Sequence, residues 1–364
     1  KNLQANTAVT KRHNAMKTFS LFNMAGKNLS ADAILNNVLV IALIALMAYF
    51  SFRTGAFLTF SNFEVILTND AAIGVLVAAL TLLVISGNVD LSVGSNIAFA
   101  GSLAALANLE WGFSDVGSMA FGIGAGAAAG CVNGILCGFL RFNSIIVTLG
   151  MLGVLRGVIL LIKPTDIYGL GDLYNTIGNG DFLGIPILLI LLVAAFAAAA
   201  TFISFTSWGR YIYAIGINPQ AAFLSALPVR ALPFSLFVAT GAAAGLAGVM
   251  LVSRLDGASP GALALQMEIQ ALTIILLGGV AFAGGRGRIV GVITAWVFLG
   301  VLTNGLTLLN VTPYVQLVAA GLALVLAAGL DALGAVLGPR LEQRRQIEEQ
   351  VDTYKSKSLN NQHD

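Results

Sequence analysis

A chain of 364 residues that is 57% hydrophobic and 10% charged is not a soluble globular domain, in which roughly a quarter of the residues carry charge. Its formal net charge of +2 comes from basic residues in loops and tails and gives no reason to expect a nucleic-acid partner. The two histidines, His13 and His363, lie in the polar tails, which excludes His-ligated metal sites and Ser–His hydrolysis from the apolar part.

Taken in order, the chain predicts an all-α polytopic membrane protein with about ten transmembrane helices. Its apolar runs are continuous rather than alternating, and each approaches the roughly 20 residues a helix needs to cross the hydrocarbon. Residues 1–32 form a polar N-terminal tail, in which Ala15, Phe19, Phe22 and Leu29 either make a short interfacial helix or belong to a plain leader. The first apolar run is long and lacks a small-residue cleavage pattern, so no cleavable signal peptide is expected. The spans then read Ala33–Tyr49, Ala71–Gly87, Leu91–Leu109, Met119–Leu140 and Ser144–Ile162. Leu183–Phe205, Ala231–Val252, Ala262–Ala283, Ile289–Leu309 and Val315–Val336 follow. Together they make a membrane region over 33–337, interrupted by a polar segment at 207–230 and followed by a tail at 338–364. Fifteen of the nineteen Lys and Arg fall on one side if both termini are cytoplasmic, among them Arg141, Arg210, Arg230, Arg286 and Arg288. The opposite side is acidic, with Glu110, Asp115, Asp166, Asp172, Asp181 and Asp256.

Between the second and third runs lies Ser86-Gly87-Asn88-Val89-Asp90-Leu91-Ser92-Val93-Gly94, a polar knot. An ionised Asp in a span costs on the order of 3 kcal/mol and needs a partner or a wet cavity. Asn88, Asp90 and Ser92, with Asn96 a turn further on, either line a hydrated path, or Asp90 or Ser92 caps the third span. In the fourth span Gly122, Gly126, Gly130, Gly134 and Gly138 recur every fourth residue, a bare stripe suited to close helix packing. Gly241, Gly245 and Gly248 repeat the device in the seventh. Cys131 and Cys137, about 9 Å apart along one helix, are too distant for a disulfide.

The segment from Gly209 to Ala222 reads as a docking element. Arg210 anchors it, Gly216 precedes Asn218 as helix N-cap, and Pro219 suits the first helical position. Ala221, Ala222 and Leu224 would then face outward, with Ser225 closing the turn. The alternative is an ordinary connecting loop. Glu268 and Gln270 at the start of the eighth span either line an outer vestibule for a polyol or solvate the helix end. Asn133 and Asn304, single polar residues within spans, suit interhelical hydrogen bonds, and Asn304 also stands near the expected path. Gly278–Arg288 reads as a glycine-rich turn of structural character. No Gly-rich loop follows a strand or precedes Gly-Lys-Ser/Thr, so the chain holds no phosphate-binding loop of its own.

The order Gly87…Asp90-Leu91-Ser92-Val93-Gly94, Phe142…Ile146-Val147-Thr148-Leu149-Gly150…Arg156-Gly157, Gly209-Arg210…Ala214-Ile215-Gly216…Asn218…Ala221-Ala222, and Gly278-Gly279…Gly284-Gly285 resembles the ribose/xylose/galactose-type permeases of ABC importers, relatives of the branched-chain amino-acid permeases. The resemblance runs from about Phe60 to Val336. It implies a cobalamin-importer-like permease fold in the bacterial cytoplasmic (inner) membrane, and two permease subunits, identical or not, around a central pore. It also implies a cytoplasmic ABC ATPase that binds ATP and Mg, and a periplasmic or lipid-anchored sugar-binding protein. This chain would carry no cofactor and no catalytic residue, and membrane lipid would surround it. Gly216–Leu227 matches the coupling helix that seats in the ATPase. Two positions depart from the family pattern: Gln270 where an Asp is usual, and Ala226 where a Gly is common. A branched-chain amino-acid permease, an ion-coupled secondary transporter with paired midplane carboxylates, and an intramembrane protease using Asp90 and Asp331 are the alternatives.

Overall fold

The computed structural model describes residues 31–319 together with 321, 322 and 325. The N-terminal tail, most of the expected tenth span, Asp331 and the C-terminal tail lie outside the described residues.

The chain is helical almost throughout. It begins with α1 (Ala31–Arg53), then α2 (Phe60–Asn69) and α3 (Ala71–Ile85), which meet at a 51° bend. α4 (Val93–Leu109) follows the polar knot, and α5 (Asp115–Gly134) ends in a π-turn, Ile135–Phe139. α6 (Ser144–Ile162), the short α7 (Asp172–Asn179) and α8 (Ile187–Phe205) come next. The second half holds α9 (Ser207–Ile217), α10 (Pro219–Leu224), α11 (Ala231–Leu255), α12 (Met267–Leu277) and α13 (Ile289–Leu308). Five of these, counting α5 with its π-turn, are long and apolar enough to cross a membrane: α5, α6, α8, α11 and α13. The bent pair α2–α3 makes a sixth if it counts as one span.

The structure departs most from the sequence reading at three places, each for a local reason. α3 begins at Ala71, as read, but a helix the sequence reading did not include, α2, precedes it, capped by Thr59, whose hydroxyl accepts from the Asn62 N–H at 3.3 Å. Residues Leu183 and Gly184 both have positive φ and turn a two-residue hairpin, Asp181–Phe182 against Ile185–Pro186, so α8 begins only at Ile187. The expected span Ala262–Ala283 contains a helix of 11 residues, about 16 Å long, too short to cross alone. Left-handed Ala264 and Gln266 break its start, and Gly279 with φ 79° ends it.

α11 occupies the centre, packed on α5, α4, α3 and α7. The two glycine stripes meet there. A Cβ built on Gly126 would stand 2.6 Å from the Gly241 carbonyl oxygen, and one on Gly245 would stand 2.8 Å from the Ile123 Cα. Backbone thus rests on backbone, the contact that substitutes for hydrophobic drive where the surroundings are as oily as the side chains. The stripe also reaches α4, where Gly122 lies against Ala104 and Gly248 against Gly101. Gly134 and Gly138 pack on Phe234. Cys131 and Cys137 are both free thiols.

The charged loops gather at two ends. At one end Arg141, Arg210, Arg230, Arg286 and Arg288 flank α9, α10 and the 278–288 turn. At the other, Ile167–Tyr168 pairs antiparallel with Gly257–Ala258, and Asp115 accepts from Asn108 Nδ2 at 2.8 Å and from the Leu173 N–H at 3.0 Å. Lys163 pairs with Glu110 there, and Ser259 Oγ donates to Asp166 at 2.6 Å. Burial of Tyr174, whose hydroxyl lies 2.8 Å from Ser118 Oγ, pushes its ionisation above the ordinary phenol range and keeps it neutral.

Candidate functional site

At the arginine-bearing end the chain makes an abrupt turn from α9 into α10. Asn218 leaves the helical region and its Oδ1 accepts from the Gln220 and Ala221 N–H groups, both at 3.0 Å. Pro219 occupies the first turn, where its missing N–H costs nothing. The cap read from sequence is present. The face read from sequence is not quite right: Ala222 is only 4% exposed and packs inward, so the outward residues are Ala221, Phe223 and Leu224. The reason is helical phase: after Pro219 the single inward position of this short turn falls on residue 222. Ser225 ends the turn, its N–H bonded to the Ala221 carbonyl at 3.0 Å, and Ala226 follows with φ 57°. That left-handed conformation explains why a glycine suits the position.

α9 links this turn to the bundle. Ile212 and Ile215 are buried, and Tyr213 Oη donates to the Gly287 carbonyl at 2.8 Å. Burial raises the Tyr213 ionisation, with Arg288 pulling the other way, so the phenol stays protonated and remains a donor. Gly216 has room for no side chain, since a Cβ would strike the Ile85 carbonyl oxygen and the Gly285 N–H. The Gly285 N–H itself donates to that Ile85 carbonyl at 2.8 Å. A Cβ on Gly284 would stand 2.7 Å from the Gly87 Cα. The glycine-rich turn is therefore more than a reversal: it seats α9 against the end of α3 and the start of the polar knot. Arg210 is exposed on the same segment.

From this junction the knot runs inward. Gly87 carries φ 85°, and the half-buried Asn88 donates to Ser86 Oγ at 3.1 Å. Asp90 is 1% exposed. Its Oδ1 accepts from the Ser92 N–H at 2.8 Å and Ser92 Oγ at 2.6 Å, and its Oδ2 accepts from Asn133 Nδ2 at 3.2 Å. Neither Asp90 nor Ser92 caps α4 in the expected sense: Ser92 stands at the N-cap without a side-chain capping bond, and Asp90 folds the preceding backbone instead. Two hydroxyls on α6 complete the clamp, with the Val89 N–H on Ser144 Oγ at 3.2 Å and the Leu91 N–H on Thr148 Oγ1 at 3.0 Å. Sequence reasoning passed over Ser144 as a span boundary; its spacing of four from Thr148, which places both on one helix face, was the available signal.

The other residues expected along a path separate. Asn96 donates to the Gly126 carbonyl at 3.1 Å and ties α4 to α5, its Oδ1 buried without a partner. Asn304 exchanges amide hydrogen bonds with Asn62 at 2.9 and 3.0 Å, which joins α13 to α2 rather than presenting it to a solute. Glu268, in the first turn of α12, lies against Gly94 of α4, where a Cβ would collide with its carboxylate. Gln270 is half-buried two residues on. Arg156, in the middle of α6, donates to the Pro260 and Leu263 carbonyls at 2.8 and 2.9 Å. It satisfies the backbone that the broken entry to α12 leaves open, which is what a cation inside an apolar bundle requires. Among the described residues no group of three or more His, Cys, Asp or Glu could hold a metal ion.

The sequence family described as "Branched-chain amino acid transport system / permease component" matches residues 62–328. The chain is 34% identical over 298 residues to the ribose import permease protein of Escherichia coli (strain K12), covering 80% of this chain and 92% of that protein. It is 33% identical over 294 residues to the L-arabinose ABC transporter permease protein of Azospirillum brasilense, covering 80% and 86%. To the fructose import permease protein of Rhizobium meliloti it is 29% identical over 305 residues, covering 80% and 84%. No solved structure matches the chain.

Proposed function

This chain belongs to the branched-chain amino acid transport system / permease component family, and from that we propose that it is the membrane-spanning permease subunit of an ABC importer for a monosaccharide. It is a transport subunit and not an enzyme; a separate ATPase binds ATP with Mg and hydrolyses the ATP, and a binding protein delivers the solute. The relatives' names speak for sugar rather than amino acid, since ribose, L-arabinose and fructose are their substrates.

The observation that carries the coupling role is the Asn218-capped turn α10, apolar and exposed on one side and continuous on the other with the junction at Gly87, Gly216 and Gly284. In this reading the arginine-bearing end faces the cytoplasm, as do both termini, and α10 seats in the ATPase. The chain makes ten passes of the bacterial inner membrane in a cobalamin-importer-like fold, the eighth made jointly by α12 and the non-helical stretch that leads into it. A second permease subunit packs on the outer face of α6, where Gly150, Gly153 and Gly157 meet nothing within 4 Å. The half-buried Asn88, Glu268 and Gln270 supply polar groups of the solute path, and the buried Asp90 and Ser92 hold the backbone that presents Asn88.

Uptake of radiolabelled ribose, arabinose, fructose and leucine by proteoliposomes holding the permease, its ATPase and its binding protein tests this. A sugar should accumulate only with ATP and all components present. Accumulation driven by the permease alone, or of leucine only, overturns the assignment.

A further inference from the structure

The face of α5 turned away from α11 is used by nothing above. Phe121, Gly124, Ala128, Val132 and Ile135 recur at steps of three and four residues, and all are exposed; Phe139 continues the row at its end, exposed but with its ring 5.0 Å from that of Phe234 on α11. Beside them, between α4, α5 and α6, runs an apolar groove of about 580 Å³ that Phe99 and Met151 also line. The face ends where the π-turn delivers Arg141 in a left-handed conformation, φ 63°. Such a conformation is uncommon outside glycine and tends to mark a site held by its surroundings. Arg141 lines a second pocket, of about 280 Å³, with Arg230, Pro219, Gln220 and Phe223. No carboxylate lines that pocket. The one ion pair among the described residues, Lys163–Glu110, is at the other end of the bundle.

We propose that these two concavities together form a binding site for an anionic phospholipid. The phosphate sits between the Arg141 and Arg230 guanidinium groups, and an acyl chain lies along the exposed face of α5. The chemistry favours an amphiphile over its two rivals. A guanidinium pair recognises any phosphate or carboxylate through paired N–H donors. A free anion or an acidic protein segment, however, has no use for the apolar track that leads to the arginines. The exposed rings of Phe139, Phe142 and Phe223 carry apolar surface up to the edge of the arginine pocket, where an acyl chain would meet its headgroup. Because Pro219, Gln220 and Phe223 line the headgroup pocket, the lipid contacts the same turn proposed to meet the ATPase, so lipid charge would bias its stance.

The experiment uses the full chain with its ATPase, stripped of lipid, and native mass spectrometry to read retention of added dioleoyl phosphatidylglycerol against dioleoyl phosphatidylcholine. The double variant R141A/R230A should retain phosphatidylglycerol about thirtyfold more weakly, about fivefold for each arginine removed beside a lipid phosphate, and phosphatidylcholine unchanged. R141K/R230K, which keeps the charge, should recover most of the retention and shows that the fold is intact. Ala128→Trp fills the groove without touching the arginines and should weaken phosphatidylglycerol as well, while millimolar inorganic phosphate should not displace it. Equal phosphatidylglycerol retention by R141A/R230A overturns the proposal. Displacement by inorganic phosphate with Ala128→Trp silent reassigns the pocket to a free anion. Loss of the ATPase from R141A/R230A with lipid retention unchanged reassigns it to a protein carboxylate.

Discussion

Truncating the outward face of α10 should uncouple the permease from its ATPase without disturbing its fold. Leu224 is 82% and Phe223 62% exposed, so neither contributes much to packing within the chain. Full burial of a Leu or Phe side chain stabilises by about 1.5–3 kcal/mol. Scaled by the 82% and 62% still open to a partner, the two would contribute about 2–4 kcal/mol on seating in a groove. At about 1.4 kcal/mol per factor of ten, Phe223→Ala with Leu224→Ala should weaken ATPase association by about thirty- to a thousandfold. Association in nanodiscs, measured by thermophoresis, reads the affinity, and solute-stimulated ATP hydrolysis reads the coupling. Thermal unfolding of the permease should move by no more than the ±0.5 kcal/mol usual for surface changes. Unchanged affinity and unchanged stimulation would refute a docking role for α10. Ala222→Leu is the contrasting variant: at 4% exposure the added methylenes overpack the turn, and a loss of about 1–3 kcal/mol in stability should accompany any loss of coupling.

Gly126→Leu should destabilise strongly, because the added atoms meet Gly241 and Gly245 backbone that cannot rotate away, whereas Gly124→Ala, with nothing within 4 Å, should be neutral in thermal unfolding. Asp90→Ala leaves the Ser92 N–H and the Ser92 hydroxyl without their acceptor, about 1–3 kcal/mol for each buried orphan, while Asn133 Nδ2 keeps its bond to Ser92 Oγ; Asp90→Asn keeps an acceptor and should lose less. If the knot serves the solute path, Asp90→Asn should also slow uptake at equal expression and equal melting temperature, and normal uptake would confine Asp90 to a structural part. Arg156→Ala frees the Pro260 and Leu263 carbonyls and should loosen the entry to α12, read as faster amide exchange over residues 259–268, with Arg156→Lys intermediate.

Periodic features were legible in the sequence because geometry fixes them. A glycine every fourth residue on a helix of 3.6 per turn must form a stripe, and the Gly122–Gly138 run does meet the Gly241–Gly248 run. The Asn218-Pro219 pair announced its cap for the same reason: the cap is a local bond between neighbours. What depends on neighbours far along the chain was hidden. Asp90 finds Asn133 forty-three residues away, and Asn304 finds Asn62 at a separation of 242. Hydropathy alone cannot see that Ala264 and Gln266 adopt left-handed conformations, so a half-length α12 read as a full span. The inward Ala222 was missed because a six-residue helix has too few positions to show a period.

The last carbonyl of α3 is where these parts become one device. A helix leaves its final carbonyls without intrahelical partners, and each must be satisfied from outside. Ile85 takes its donor from Gly285, in the turn between α12 and α13, and the bare Cα of Gly216 presses on the same oxygen. At Gly216 against Ile85 and Gly285, and at Gly284 against Gly87, backbone meets backbone, so a displacement of α9 has little soft material there to be absorbed in. The knot in turn is held at Asp90 by Asn133 of α5 and at two N–H groups by Ser144 and Thr148 of α6. Adjacency of this kind is the physical condition for coupling and not its measure. The measure is a double-mutant cycle between Leu224 and Asn133 on solute-stimulated hydrolysis. Their separation along this chain of contacts would give additive effects, within about 0.5 kcal/mol, if the backbone junction carried nothing.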